Sequence, residues 1–216
     1  MRIGLFGGTF DPVHRGHLDV AAASLRALPL DEVWFIPAGR PPHRSAPGAS
    51  AAHRFAMVAL ALAGQRRLRV SDIEMTHDGP TYTIETLARL EARYPALAGS
   101  FCFIAGADAF AEIRTWREWQ ALVDRCPFAV VSRPGLPVDA LPAQLPELAA
   151  RMKRPPLDGW DGIYLIDAPT TDVSASALRE AFRTGRDLSN LLPGAVAEYA
   201  VREHLYDDQA PEAARG

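Results

Sequence analysis

The sequence predicts an α/β fold, a doubly wound and mostly parallel sheet with helices on both faces. Three observations carry this. Short apolar runs alternate with helix-periodic stretches along nearly the whole chain, and such alternation closes into a parallel sheet covered on both sides. The run FCFIAG, Phe101–Gly106, is apolar at consecutive positions and ends on Gly, as a strand buried on both faces does. The first apolar run leads straight into Gly7-Gly8 and a helix start, and open α/β sheets bind ligands beyond the carboxyl ends of their strands.

Taken in order, Arg2–Phe6 reads as a short buried strand, and a helix follows from Gly16 to Leu28. EVWFI, Glu32–Ile36, is a second strand stopped by Pro37. Ala38–Ser50 is rich in Pro, Gly and Ser; it is long for a connection, which marks it as a functional loop. Ala51–Leu62 is Ala-rich and helical, and Leu68–Ile73 is a third strand. Thr83–Tyr94 places Ile84, Leu87 and Leu90 at helical spacing with polar residues between. Beyond the central strand, Phe128–Ser132 repeats the buried pattern. Leu136–Pro156 carries five prolines and is expected to be irregular. Gly162–Asp167 is the last strand, and Ser176–Thr184 is a short helix ended by Gly185. Pro193 suits the first residue of a final helix reaching about Leu205. No repeat or linker interrupts the chain, so a single domain over 1–206 is expected, with 207–216 as a flexible polar tail.

Composition narrows the function. Of 216 residues, 48% are apolar and 23% charged, which excludes a largely disordered chain. The net charge of −3 offers no basic field for nucleic acid. The two cysteines, Cys102 and Cys126, are too few for a disulfide scaffold or a Cys-ligated zinc, and they suit a reducing cytoplasm. No apolar run approaches the ~18 residues of a membrane span.

The chemistry concentrates in two segments. GGTFDPVHRGH, Gly7–His17, joins a strand to a helix. Glycines there let backbone approach an anion, and the helix start adds free N–H donors. The dinucleotide pattern G-x-G-x-x-G and the Walker G-K-[ST] are both missing. Instead His14 and His17 stand three apart, with both imidazoles on one helix face. Without an acidic partner, that pair suits hydrogen bonding to phosphate better than zinc. In DVSASALRE, Asp172–Glu180, Ser174 and Ser176 lie at a helix start with Arg179 one turn in. Taken alone the serines are helix caps; opposite the His/Gly turn they and the guanidinium make a second anion cradle. Asp11 reads as a turn-former before Pro12, and Arg54 is open between substrate contact and surface.

These two segments resemble the nucleotidyltransferase superfamily with an H-x-G-H signature, a Rossmann-like fold. Four more stretches narrow the resemblance: IPAGRPPHR (Ile36–Arg44), HRFAM (His53–Met57), DGPTYTIETL (Asp78–Leu87) and GADAFAEIRTWREW (Gly106–Trp119). Together they are similar to the bacterial nicotinate-nucleotide adenylyltransferase family. The resemblance implies that His14 and His17 bind the ATP phosphates and stabilise charge at the α-phosphorus. It implies an ATP site shaped by Gly7, Gly8, Thr9, Phe10 and Gly16, with Ser174, Ser176 and Arg179 on the β- and γ-phosphates. Nicotinate mononucleotide would meet Tyr82, Thr83, Asp108 and Trp116, with His43 and Arg44 closing over it. The i, i+3 spacing of Trp116 and Trp119 also fits a buried hydrophobic pair, a reading that suits Trp119 more than Trp116. Mg²⁺ is implied as the ATP counterion, with few or no protein ligands and no dedicated metal site. The implied partners are these small molecules, in the cytoplasm, with no nucleic acid and no membrane; a homo-oligomer is compatible with the reading. Ser176 stands where the family commonly has Thr, and Arg44 where it commonly has Lys. The rival expectations are another adenylyltransferase or cytidylyltransferase of the superfamily, acting on nicotinamide mononucleotide or phosphopantetheine, and a non-catalytic nucleotide sensor.

Overall fold

Central strands whose side chains are buried on both faces leave the sheet one arrangement, a layer between two layers of helix. A computed structural model describes residues 1–40, 47–76, 79–155 and 159–207. His43, Arg44 and the tail after Asp207 lie outside the described residues. The chain runs β1 (Ile3–Gly8), α1 (Arg15–Ala27), β2 (Glu32–Pro37), α2 (Ala51–Ala61), β3 (Leu68–Val70), α3 (Thr83–Arg93), β4 (Phe101–Gly106), α4 (Ala107–Ala111) and α5 (Trp119–Arg125). It continues through β5 (Phe128–Val131), α6 (Leu141–Gln144), β6 (Met152–Lys153), β7 (Ile163–Ile166), α7 (Ala175–Thr184) and α8 (Gly194–Arg202). The strand order is β3-β2-β1-β4-β5-β7-β6, and every pairing is parallel. The order reverses between β1 and β4, so the crevice beyond Gly8 and Gly106 is the switch point of the sheet.

The period-2 alternation of the strands divides the core in two. Phe6, Phe35, Cys102, Ile104, Val131 and Ile166 pack against α1, α2, α7 and α8. Leu5, Trp34, Phe103, Val130 and Leu165 pack on the other side, against α3, α4, α5 and α6. Register makes this continuous, with Leu5 opposite Trp34 and Phe103 in its two neighbours. Each such fully buried side chain contributes about 1.5–3 kcal/mol. Both cysteines are buried free thiols, in opposite cores.

Where the structure departs from the expectation, tertiary contacts decide. β3 stops at Val70 rather than Ile73. Ser71 still donates to Phe35, but the Ser71 hydroxyl then accepts from the Ile73 N–H and Met75 bonds back to Asp72, turning the chain off the sheet edge. The proline-rich stretch holds a two-residue strand, β6, that exists only through its pairing with β7. α4 and α5, of five and seven residues, are too short to show a period in the sequence. Pro193 caps α8 rather than beginning it. That helix ends at Arg202 because His204 turns left-handed at φ 53°.

One cross-link sets the mouth of the crevice. The Asp19 carboxylate on α1 accepts from the Thr171 N–H at 2.8 Å and its hydroxyl at 2.6 Å, drawing the segment before α7 onto α1. Gly16 leaves little room at that approach. A Cβ there would stand 3.0 Å from the Thr171 carbonyl oxygen and 3.2 Å from both Arg133 Nη1 and His14 Nδ1. Gly16→Ala is expected to lower the unfolding free energy by about 1–3 kcal/mol, as overpacking against backbone does. Urea denaturation at constant m-value measures it, and an unchanged midpoint would mean that the contact is not tight.

Candidate active site

At the end of β1 the backbone must pass close to its own next turn. Phe10 takes a left-handed φ of 50° and folds its ring back over Gly8, where a Cβ would lie 2.9 Å from the ring carbon Cζ. The ring is buried against Phe6 and Phe35 and meets His17 nearly perpendicular, at 80°, with centroids 4.9 Å apart. A cis peptide then joins Asp11 to Pro12 and delivers His14 to the start of α1. His14 and His17 stack face to face, 3.6 Å between centroids and 23° between planes. His17 is thereby held between a stacked ring and a perpendicular one.

The hydrogen bonds fix the chemistry of that ring. The His14 backbone N–H donates to His17 Nδ1 at 3.2 Å. An acceptor Nδ1 leaves the proton of the neutral imidazole on Nε2, which makes His17 Nε2 a donor. Both rings are neutral at pH 7. Burial, with help from the Arg133 cation and against Asp19, lowers the His14 imidazole to about 4. Burial, then His14 and Arg133, holds His17 well below the usual histidine range. His14 is 1% exposed, and its Nδ1 has no hydrogen-bond partner within the protein.

Opposite the histidines lies the start of α7. Ser174 is its N-cap, with Oγ accepting from the Ala177 N–H at 3.2 Å, so the capping role is real. Arg179 donates through Nη2 to Ser176 Oγ and through Nη1 to the Asp11 carbonyl at 2.8 Å. The same Nη1 stands 3.6 Å from Asp11 Oδ2. Between these elements is a cavity of about 470 Å³, within the size range of ligand sites. Gly7, Gly8, Thr9, Phe10, His14, His17, Asp108, Trp116, Ser174, Ser176 and Arg179 all line it. Trp116 is half-buried beside Phe128, with one side on the cavity, whereas Trp119 packs only on the core.

Three expected residues stand elsewhere. Gly16 is behind the histidines, against Thr171 and Arg133. Tyr82 and Thr83 begin α3 and are not among the residues lining the cavity; Tyr82 lies beneath the Arg117 guanidinium at 4.7 Å.

Sequence reasoning missed three residues. Arg133 lines the cavity and reaches the Gly16 carbonyl at 3.5 Å. Its signal was available, because Ser132-Arg133-Pro134-Gly135 is a turn at the carboxyl end of a central strand. Arg54 neither lines the cavity nor lies on the surface. It is 1% exposed and donates to the carbonyls of Thr9, Gly39 and Ala49, fastening both ends of the long loop to the turn. Asp11 is more than a turn-former: its carboxylate accepts from the N–H groups of Gly48 and Ala49 and from the Tyr206 hydroxyl.

The cytidylyltransferase-like family model matches residues 5–181. A Pseudomonas paraeruginosa protein named "Probable nicotinate-nucleotide adenylyltransferase" is 43% identical over 208 residues, covering 95% of this chain and 97% of that one. A Citrifermentans bemidjiense protein of the same name is 39% identical over 216 residues, 96% of this chain and 99% of its own. The chain belongs to the nicotinate-nucleotide adenylyltransferases of the cytidylyltransferase-like family. Among solved structures, the Plasmodium falciparum nicotinic acid mononucleotide adenylyltransferase complexed with NaAD superposes with a TM-score of 0.74, covering 95% of this chain and 97% of that chain. At 20% identity, that likeness speaks to the fold.

The lowered imidazoles have a checkable sign. Below pH 6.5 the unfolded chain takes up protons that the folded His14 refuses. This contribution to stability is therefore full above 6.5 and is lost as pH falls from 6.5 towards about 4. In NMR titrations of the free protein the His14 ring should titrate near 4, and Arg133→Met should raise that value by removing the facing cation. A His14 midpoint near 6.5 would contradict the buried, unpaired geometry.

Proposed function

We propose that this chain transfers the adenylyl group of ATP to nicotinate mononucleotide, forming nicotinate adenine dinucleotide and pyrophosphate, a step of NAD biosynthesis. One observation carries the reading. A neutral imidazole donor and a half-exposed guanidinium, from opposite elements, converge on one cavity at the switch point of the sheet.

The reaction needs in-line placement and charge stabilisation more than protein nucleophilicity. An oxygen of the mononucleotide 5′-phosphate attacks the ATP α-phosphorus. The bond from that phosphorus to the bridging oxygen breaks, and pyrophosphate leaves with the electron pair. His17 Nε2–H donates to an α-phosphate oxygen as charge grows there, with His14 stacked beside it as the second imidazole. Arg179 and Ser176 hold the β- and γ-phosphates, Ser174 frames the helix start, and Gly7, Gly8, Thr9 and Phe10 let the phosphates approach backbone. Gly16 acts from behind, by allowing the histidines and Arg133 to close up. Trp116 offers its open side to the pyridine ring and Asp108 stands at the rim. Tyr82 and Thr83 serve the outer end of the mononucleotide, next to the Trp116-Arg117 segment. His43 and Arg44 keep their role over the nucleotides as part of the same reading.

Mg²⁺ fits as a companion of ATP. Among the described residues, no three His, Cys, Asp or Glu side chains gather for a metal. The nearest buried carboxylate, Asp11, is already taken up by protein donors. When bound, the ion would offset charge on the phosphate oxygens. No helix among the described residues is long and apolar enough to cross a membrane. Cytoplasmic placement rests on the two free thiols. A single domain over 1–206 is supported by one sheet that takes strands from Ile3 to Ile166, and by α8, which packs on the same core.

The test is pyrophosphate release from ATP with nicotinate mononucleotide, nicotinamide mononucleotide, phosphopantetheine and glycerol phosphate offered in turn. Nicotinate mononucleotide should be preferred over its amide by on the order of 10²–10⁴ in kcat/KM, since donors set for a carboxylate meet an NH₂ group in the amide. In the same assay His17→Ala should lower kcat by ~10²–10³ with small changes in either KM. Turnover with phosphopantetheine alone would overturn the substrate, and a His17→Ala kcat within about threefold of wild type would overturn the role of that ring.

A further inference from the structure

Behind the cavity lies a contact that the adenylyl-transfer chemistry leaves unexplained. Tyr206 sits after α8, beyond the 5–181 span of the family model. It does not line the cavity, yet its hydroxyl donates to Asp11 Oδ1 at 2.7 Å. Its ring packs on Phe182 of α7, centroids 5.5 Å apart, and its ring edge covers Gly48, where a Cβ would meet it at 3.2 Å. One side chain therefore touches the phosphate turn, the far end of the long loop and the helix that carries Arg179. The backbone makes a special effort to place it, since both His204 and Tyr206 are left-handed, at φ 53° and 66°.

We propose that Tyr206 is a positioning residue that sets the reach of Arg179 into the phosphate site by occupying Asp11; the proposal rests on the adenylyl-transfer reading. The argument is one of competition for a carboxylate. Asp11 is 4% exposed, so its lone pairs must be met by protein donors. Gly48 N–H meets Oδ2 at 2.7 Å, and Ala49 N–H meets Oδ1 at a longer 3.1 Å. The Tyr206 hydroxyl is the short donor to Oδ1. Arg179 Nη1 waits 3.6 Å from Oδ2, paired but not collapsed onto it, while Nη2 turns to Ser176 at the cavity. Burial beside Asp11 pushes the phenol far above its usual range, so it stays a donor at every working pH. If that hydroxyl is removed, Oδ1 keeps only the longer Ala49 bond, and Arg179, already bonded to the Asp11 carbonyl and 3.6 Å from Oδ2, is a cation in position to compensate the carboxylate. The guanidinium is then drawn into Asp11, and its reach towards the β- and γ-phosphates shortens.

Tyr206→Phe keeps the ring and its packing while deleting the donor. Calorimetry with Mg-ATP, pyrophosphate and nicotinate mononucleotide is run on wild type, Tyr206→Phe, Arg179→Ala and the double variant, with thermal melts alongside. The expected result is roughly tenfold weaker ATP and pyrophosphate binding in Tyr206→Phe, mononucleotide binding within twofold of wild type, and a KM for ATP that rises more than kcat falls. In the Arg179→Ala background, Tyr206→Phe should cost nothing further, because the group it positions is gone. An equal loss in both backgrounds would overturn the proposal. So would ATP binding unchanged in Tyr206→Phe, equal weakening of the mononucleotide, or loss of a cooperative melt. A wild-type chain that binds neither ATP nor pyrophosphate would overturn the adenylyl-transfer reading and this inference with it; unaltered binding in Tyr206→Phe overturns the inference alone.

Discussion

The site depends on satisfying one buried carboxylate. Asp11 is almost fully enclosed, and leaving such a group short of donors would cost several kcal/mol. Its partners come from widely separated stretches of chain: Gly48 and Ala49 from the end of the long loop, Tyr206 from the segment after α8, and Arg179 from α7. Arg54 works in the opposite sense from the same side, giving its N–H groups to the carbonyls of Thr9, Gly39 and Ala49. A buried anion and a buried cation thus hold the turn after β1 between them, each already taken up by protein partners. Rigidity of the turn follows, and with it the fixed pose of the two histidines.

Neutral imidazoles suit the task. A positively charged pair stacked at 3.6 Å would repel itself and Arg133, and burial adds a penalty for each charge. Kept neutral, His17 still offers an oriented N–H, and preorganised dipoles lose nothing to rearrangement when charge shifts in the transition state. The formal positive charge comes instead from Arg133 and Arg179, at two edges of the cavity. This division places full charges and a neutral hydrogen-bond donor on the wall of one cavity, as the proposed adenylyl transfer would use them.

Much of this was legible in the sequence because it is local. FCFIAG announced β4, and GGTFDPVHRGH announced the turn, since glycines, a helix start and paired histidines lie within eleven residues. DVSASALRE announced α7 and its cap for the same reason. What escaped was non-local. Arg54 is fully buried only because three loop carbonyls reach it from 5, 15 and 45 residues away. β6 is a strand by virtue of its neighbour, and Ile73 leaves the sheet through a serine-based turn. Tyr82 and Thr83 had a motif to recommend them but no spatial constraint, and they begin α3 without being among the residues that line the cavity.

The two cysteines carry a different consequence. Cys102 faces one core and Cys126 the other, and burial pushes the Cys126 thiol up to about 12 and Cys102 well above its ordinary value. A thiol that cannot ionise is a poor target for alkylating agents and peroxide. Both are therefore shielded while the sheet is intact, and each becomes reactive only when its own helical layer lifts away. The chain carries a built-in pair of chemical reporters on local opening, one for each side of the sheet, which separates the stability of the layer of α1, α2, α7 and α8 from that of the opposite layer.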